Sequence, residues 1–181
     1  HDTYFVVAHF HYTLFPTAIL AGFAGIYHWF PKMFGRMMDE GWGKVHFWGT
    51  FLGFNIFAFP LFFLGLAGHP RRYAAITHIE FLKDYQWIHL LSTGGTILLL
   101  VVQILFIINF FASMFAGRKA GDNPWRASTL EWLVGSPPPH HNWGNMIPVV
   151  VNGPYDYSPE GEKEDFKPQG ELITKEEFLR E

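Results

Sequence analysis

Residues 3–31, 45–70 and 85–117 of this 181-residue chain contain no Asp, Glu, Lys or Arg. Each stretch reaches or exceeds the roughly 20 residues that an apolar helix needs to cross a bilayer. In hydrocarbon the backbone must satisfy its own hydrogen bonds, which leaves the helix as the form open to a single span. The mean hydropathy of only +0.10 averages these spans with a polar remainder. From residue 118 onward the composition turns to Pro, Gly, Asn and charge. The sequence therefore predicts an all-α membrane protein. Three transmembrane helices, about 3–31, 45–68 and 85–116, lie within residues 1–117. A mostly irregular, soluble C-terminal tail covers 118–181.

The first span has no basic n-region and no small-residue cleavage site, so it does not read as a signal peptide. It begins with His rather than Met, which suggests a segment of a longer or processed chain. With no cysteine there is neither a disulfide framework nor a thiolate metal site. The net charge is −3 and no basic stripe appears, so nothing predicts a nucleic-acid partner. Lys32, Arg36, Lys44, Arg118, Lys119 and Arg126 flank the spans on one side, against Arg71, Arg72 and Lys83 on the other. The excess places the first side, with the tail, in the cytoplasm or matrix.

Within the first span, Pro16 should loosen or kink the helix, because it lacks an N–H and crowds the preceding turn. Gly22 and Gly25 should allow close packing. In the second span Gly49 and Gly53 have the small-xxx-small spacing of a helix-contact surface, and Pro60 should kink its far end. The many phenylalanines there read as lipid and core packing. The third span, with apolar runs at 97–102 and 104–108, reads as a peripheral helix without chemistry. In the tail, Pro137-Pro138-Pro139 predicts an extended segment, and 161–165 an acidic, solvated one. Thr174-Lys175-Glu176-Glu177 has the capping-box pattern of a short helix running to the end.

Ionisable side chains inside spans are candidate functional residues by default. His9 and His11 lie two residues apart, so on a helix they point about 200° from each other. They cannot readily chelate one ion, which would take an i, i+4 pair. They can hold separate centres on opposite sides of one helix, only about 3 Å apart in rise. Imidazole is a common axial ligand of haem iron, and the small residues before His9 would leave room for a flat macrocycle. Lone His46 and His89 read instead as hydrogen-bonded within the bundle. His1-Asp2 fits either helix capping or part of a site for a hard or mixed N/O cation. Arg71-Arg72 fits an interfacial anchor or a carboxylate clamp.

His1-Asp2-Thr3-Tyr4-Phe5-Val6-Val7-Ala8-His9-Phe10-His11-Tyr12 resembles the start of the tenth transmembrane helix of subunit I of the haem-copper terminal oxidases. Trp29-Phe30-Pro31-Lys32, Lys44-Val45-His46-Phe47-Trp48, Leu64-Gly65-Leu66-Ala67-Gly68 and Pro70-Arg71-Arg72-Tyr73 are similar to the blocks that follow it, in order. Asn123-Pro124-Trp125, Thr129-Leu130-Glu131-Trp132 and Ser136-Pro137-Pro138-Pro139 resemble its C-terminal tail. The likeness runs to about Trp143. His69 stands where Met is common and Phe62 where a His is often found, while Thr13, Phe15 and Pro16 also depart from the pattern. These departures suggest a divergent bacterial branch.

The resemblance implies that His9 is the proximal ligand of a high-spin haem and His11 an axial ligand of a low-spin haem, with Phe10 on the short electron path between them. It implies that His1 and Asp2 belong to a magnesium site, and that Arg71 and Arg72 pair with haem propionates. The three spans would be the last of a larger helical bundle. Two haems, of a type, and copper would serve the complete subunit, whose copper ligands lie outside this chain. The implied partners are the remainder of subunit I, subunits II and III, cytochrome c as electron donor, and the lipid bilayer. A bacterial plasma membrane is favoured over the mitochondrial inner membrane. The implied activity is proton-pumping reduction of dioxygen to water, in complex and not by this chain alone. Other readings are a quinol oxidase of the same superfamily, a non-catalytic bis-haem electron-transfer subunit, and a structural subunit with satisfied histidines.

Overall fold

The computed structural model describes residues 1–73, 78–156, 161 and 165–179. It is mostly helical. Among the described residues three helices are long and apolar enough to cross a membrane: Tyr4–Phe34, Glu40–Leu66 and Glu80–Ala116. The first comprises α1 (Tyr4–Leu14), a π-helical segment (Phe15–Leu20) and α2 (Ala21–Phe34). The loosening expected at Pro16 takes the form of that π segment, because a residue without an N–H interrupts the i→i−4 ladder. Nearby hydroxyls bond to backbone carbonyls around the break. Thr17 Oγ1 donates to Thr13 O at 2.7 Å, and Thr13 Oγ1 to Phe10 O at 3.0 Å. Further on, the helix runs through Pro31 and ends at Phe34. Gly35 terminates it with φ +63, its N–H bonding Pro31 O at 2.8 Å.

The second span begins at α3 (Glu40–Ala58), a turn earlier than its charge-free stretch. Asp39 caps it by accepting from Trp42 N at 2.9 Å, and Glu40 pairs with Lys44 at 3.0 Å. Pro60 opens α4 (Pro60–Leu66) at a first-turn position, where its missing N–H is tolerated. A 3₁₀ turn (Glu80–Tyr85) leads into α5 (Gln86–Ala116). Residues 74–77 lie outside the described set.

Two compact units emerge. The first comprises residues 1–25 and 39–112. Its core joins α1, α4 and α5 through Ala8, Leu61, Leu64 and Ile88, all buried. A Cβ on Gly65 would run into the backbone of Phe5, so a side chain there would hold α1 off α4. The expected Gly49/Gly53 surface faces α5: Gly49 lies against Val102, and Gly53 against Leu99 and Gly95 O. Gly22, by contrast, meets nothing within 4 Å among the described residues. Polar bonds reinforce the α3–α5 contact. Ser92 Oγ donates to Phe57 O at 2.8 Å, and Gln103 Nε2 to Thr50 Oγ1 at 3.2 Å. His46 Nε2 donates to Gln103 Oε1 at 3.3 Å, so His46 is bonded within the bundle.

The second unit comprises residues 26–38 and 113–181. The first connector and the segment after α5 lie side by side. Met37 N donates to Arg118 O at 2.8 Å, Ala120 N to Gly35 O at 2.9 Å, and Arg36 Nη1 to Gly117 O at 2.6 Å. The two connectors are therefore joined directly to each other. The buried ammonium of Lys32 donates to Val134 O at 2.6 Å and Asp122 O at 3.1 Å. Trp125 Nε1 donates to His28 O at 2.8 Å. The tail also holds structure that the sequence reading did not contain. Strands β1 (Met146–Val150) and β2 (Gly170–Thr174) pair antiparallel, Met146 opposite Thr174 and Val150 opposite Gly170. The capping box forms at α6 (Lys175–Phe178). Most of the acidic 161–165 segment, and residues 180–181, lie outside the described residues.

Two predictions follow from these contacts. On Gly95, a Cβ would meet Phe57 N, and Gly53 O and Ile56 C at 2.8 Å, whereas on Gly94 it would meet nothing within 4 Å. Gly95→Ala should destabilise the assembled protein by about 1–3 kcal/mol. Gly94→Ala should be neutral or stabilising by up to about 1 kcal/mol. Thermal melts of the two variants compare them directly. In the tail, the backbone N–H of Thr174, then its hydroxyl, bond the Glu177 carboxylate and hold its pKa below the usual range. A depressed folded pKa means the carboxylate's contribution is present above the unfolded value and is lost as pH falls through the folded one. NMR titration of Glu177 should therefore give a midpoint below that of an unstructured glutamate, and Thr174→Ala should raise it.

Candidate functional site

The N-terminal end of α1 is tied to the chain leaving α4. Thr3 and Pro70 form an antiparallel bridge, flanked by Tyr4 N→His69 O and Arg71 N→Asp2 O, both 3.0 Å. This pairing brings His1-Asp2 together with Arg71, across 69 positions of sequence. Asp2 Oδ1 accepts from Arg71 Nε at 3.0 Å and Nη2 at 2.9 Å, while Oδ2 lies 3.4 Å from His1 Nε2. The capping role open to Asp2 falls to Thr3, whose Oγ1 accepts from Phe5 N at 3.3 Å. Arg72 is exposed and left-handed, with φ 67, a conformation that L side chains rarely adopt. Among the described residues no group of three or more His, Cys, Asp or Glu could hold a metal ion, so His1 and Asp2 do not complete a site by themselves.

Two turns further along α1 stand the paired histidines. His9 and Phe10 are exposed, and His11 is half-buried. His11 Nδ1 lies 2.8 Å from Val7 O. A carbonyl only accepts, so Nδ1 carries the proton and Nε2 keeps its lone pair. This is how a backbone carbonyl orients a ligating imidazole. The His11 ring stacks on Phe10 with centroids 4.5 Å apart and meets the edge of Phe57 at 5.0 Å. Ala8, expected to leave room for a flat group, is instead fully buried in the core with Leu61 and Leu64. The exposed side belongs to His9.

Two features escaped the sequence reading. Tyr12 OH donates to Asn55 Oδ1 at 2.8 Å, joining α1 to α3. A lone amide in an apolar span was the available signal. Near the bridge, the rings of Tyr4, His69 and His89 cluster, with centroids 4.3–5.7 Å apart. His69 Nδ1 donates to Pro70 O at 2.8 Å. The buried Nε2 atoms of His69 and His89 have no hydrogen-bond partner among the described residues, so the bond expected for His89 within the bundle is not made at Nε2 and the ring is held by packing on Tyr4 and His69.

A family model described as "Cytochrome C and Quinol oxidase polypeptide I" matches residues 1–98, which hold α1 through α4 and every candidate residue above. The chain belongs to this family. It is 44% identical over 174 residues to the alternative cytochrome c oxidase subunit 1 of Bradyrhizobium diazoefficiens, covering 94% of this chain and 29% of that protein. It is 50% identical over 157 residues to cytochrome c oxidase subunit 1 of Synechocystis sp., covering 87% and 27%. With that of Thermostichus vulcanus it shares 47% over 164 residues, covering 91% and 29%. The chain thus spans less than a third of the length of these bacterial relatives. Haem and copper are groups of the family in general.

The exposure of the Asp2–Arg71 pair separates a structural role from a site role. Asp2 is 63% exposed and Arg71 28%. Such pairs contribute about 0–1 kcal/mol. Asp2→Asn should therefore lower the stability of the assembled protein by less than about 1 kcal/mol in thermal melts. A loss above about 2 kcal/mol would make the pair a structural tie.

Proposed function

We propose that this chain is the C-terminal part of subunit I of a cytochrome c oxidase. In that reading the complete complex reduces dioxygen to water and translocates protons. The remainder of subunit I supplies the copper ligands, and subunits II and III complete the assembly. The observation that carries the reading is the state of His11 on α1. Its Nδ1–H is held by Val7 O, and its Nε2 is left for a metal. Imidazole nitrogen is the donor that haem iron takes axially, so the residue present fits the group.

His11 holds the low-spin haem and His9, exposed on the same helix, the high-spin one. Haem, when bound, supplies the redox-active iron for electron transfer and oxygen chemistry. Phe10, stacked on the His11 ring, fills the space between the two ligands. Arg71 and Arg72 offer guanidinium donors to the carboxylates of the haems, and a guanidinium matches a carboxylate bidentately. Arg71 keeps this role by sharing its donors with Asp2, or by exchanging Asp2 for a propionate. Asp2 retains Oδ2 toward His1, and these two contribute to a magnesium site completed by groups outside this chain. Haem a is the assigned haem type. The membrane is the bacterial plasma membrane, with residues 118–181 as a cytoplasmic tail. Cytochrome c is the donor, in keeping with the names of the relatives, although the family also takes in quinol oxidases.

His11→Ala in the assembled complex should abolish the low-spin haem spectrum while the carbon monoxide-binding haem remains. His9→Ala should do the reverse. Survival of both spectra in His11→Ala would overturn the assignment. Oxygen uptake driven by reduced cytochrome c, and not by quinol, is the expected donor result.

A further inference from the structure

The hydrogen bond between Tyr12 and Asn55 lies one residue beyond His11. We infer that Tyr12 and Asn55 are positioning residues that set the rotation of α1 about its axis, and through it the plane of the His11 imidazole. The inference rests on the reading of His11 as a haem ligand.

Three observations carry it. First, the bond has one consistent donor pattern. Asn55 Nδ2 donates to Phe51 O at 2.8 Å within α3. That fixes the amide, so Oδ1 faces Tyr12 and accepts its hydroxyl proton at 2.8 Å. Asn55 is thus a rigid acceptor built into α3. Second, the far end of α1 is held by the backbone approach of Phe5 to Gly65 and by the Thr3–Pro70 bridge, and its middle by non-directional packing of Ala8 on Leu61 and Leu64. From Phe5 to Tyr12 is about 10 Å of helix rise, and His9 and His11 lie between these anchors. Third, the π segment starts at Phe15, three residues past Tyr12. A π segment changes the angular register of the helix. Whatever holds the residues beyond it cannot fix the azimuth of the histidines as an unbroken helix would. Tyr12 is therefore the last directional anchor before the break. The other neighbour of His11 across the interface is Phe57, an edge contact at 5.0 Å. An aromatic edge resists rotation less than a directional hydrogen bond does.

Low-spin haem iron reports the orientation of its imidazole ligands in its electron paramagnetic resonance spectrum, independently of turnover. In the assembled complex Tyr12→Phe and Asn55→Leu should each shift the largest g-value of the low-spin haem beyond the wild-type line width, with haem content unchanged. The double variant should match the single ones, because all three lose the same bond. Thr50→Val removes a bond between α3 and α5 that does not involve α1, and it should leave the signal in place. An unshifted signal in Tyr12→Phe or Asn55→Leu, additive shifts in the double variant, or an equal shift in Thr50→Val would overturn the inference. So would failure of both Tyr12→Phe and Asn55→Leu to assemble while Thr50→Val assembles, since the bond would then be a folding requirement. If His11→Ala keeps the low-spin signal, the ligand assignment itself fails. If it loses the signal and Tyr12→Phe leaves it unmoved, only the positioning role fails.

Discussion

The backbone approach of α1 to α4 at Phe5 and Gly65 is the constraint on which the membrane unit depends. No side chain fits there, so the two helices meet main chain to main chain. That contact lets Thr3 bridge Pro70 and lets Asp2 reach Arg71. It also buries Ala8 against Leu61 and Leu64, which turns His9 away from the core. The face that each histidine presents is therefore decided by a glycine more than fifty residues later. A bulkier residue at that glycine would separate the helices and disperse the cluster at the end of α1.

The spans were legible because charge exclusion is a one-dimensional signal, and the two histidines stood out as candidates because a polar ring two residues from another in an apolar stretch is costly without a role. Helix ends were less legible. Asp39 and Glu40 start α3 before the charge-free stretch, because capping favours acidic residues there. The helix through Pro31 runs on to Phe34, where the left-handed Gly35 ends it. Pairings between distant residues could not be read at all. Asp2 fits a helix cap as well as it fits Arg71 until the chain is folded. Strand β1 carries Pro148, a residue that argues against a strand in sequence, and its partner lies beyond a polar stretch.

Hydrogen bonding sorts the polar residues of the spans into groups that sequence alone treats alike. Ser92, Thr50, Gln103 and Asn55 spend their donors and acceptors on neighbouring helices or on their own backbone. His46 joins them through Gln103. These residues hold helices together and have little capacity left for a ligand. The Nε2 atoms of His69 and His89 are buried and have no hydrogen-bond partner among the described residues.

His9 and His11 fall into neither group. His11 uses Nδ1 on its own helix, which fixes the ring without occupying Nε2. His9 faces outward at the level where α1 is anchored on both sides. A ligand nitrogen must be oriented by its own chain and still be open to a partner outside it. For His11 the Val7 carbonyl supplies the first condition directly. Tyr12 supplies it again at the level of the whole helix, by bonding to an amide that is itself locked. The Phe5–Gly65 approach, the Thr3–Pro70 bridge and the Tyr12–Asn55 bond all lie on the side of Pro16 where the histidines stand.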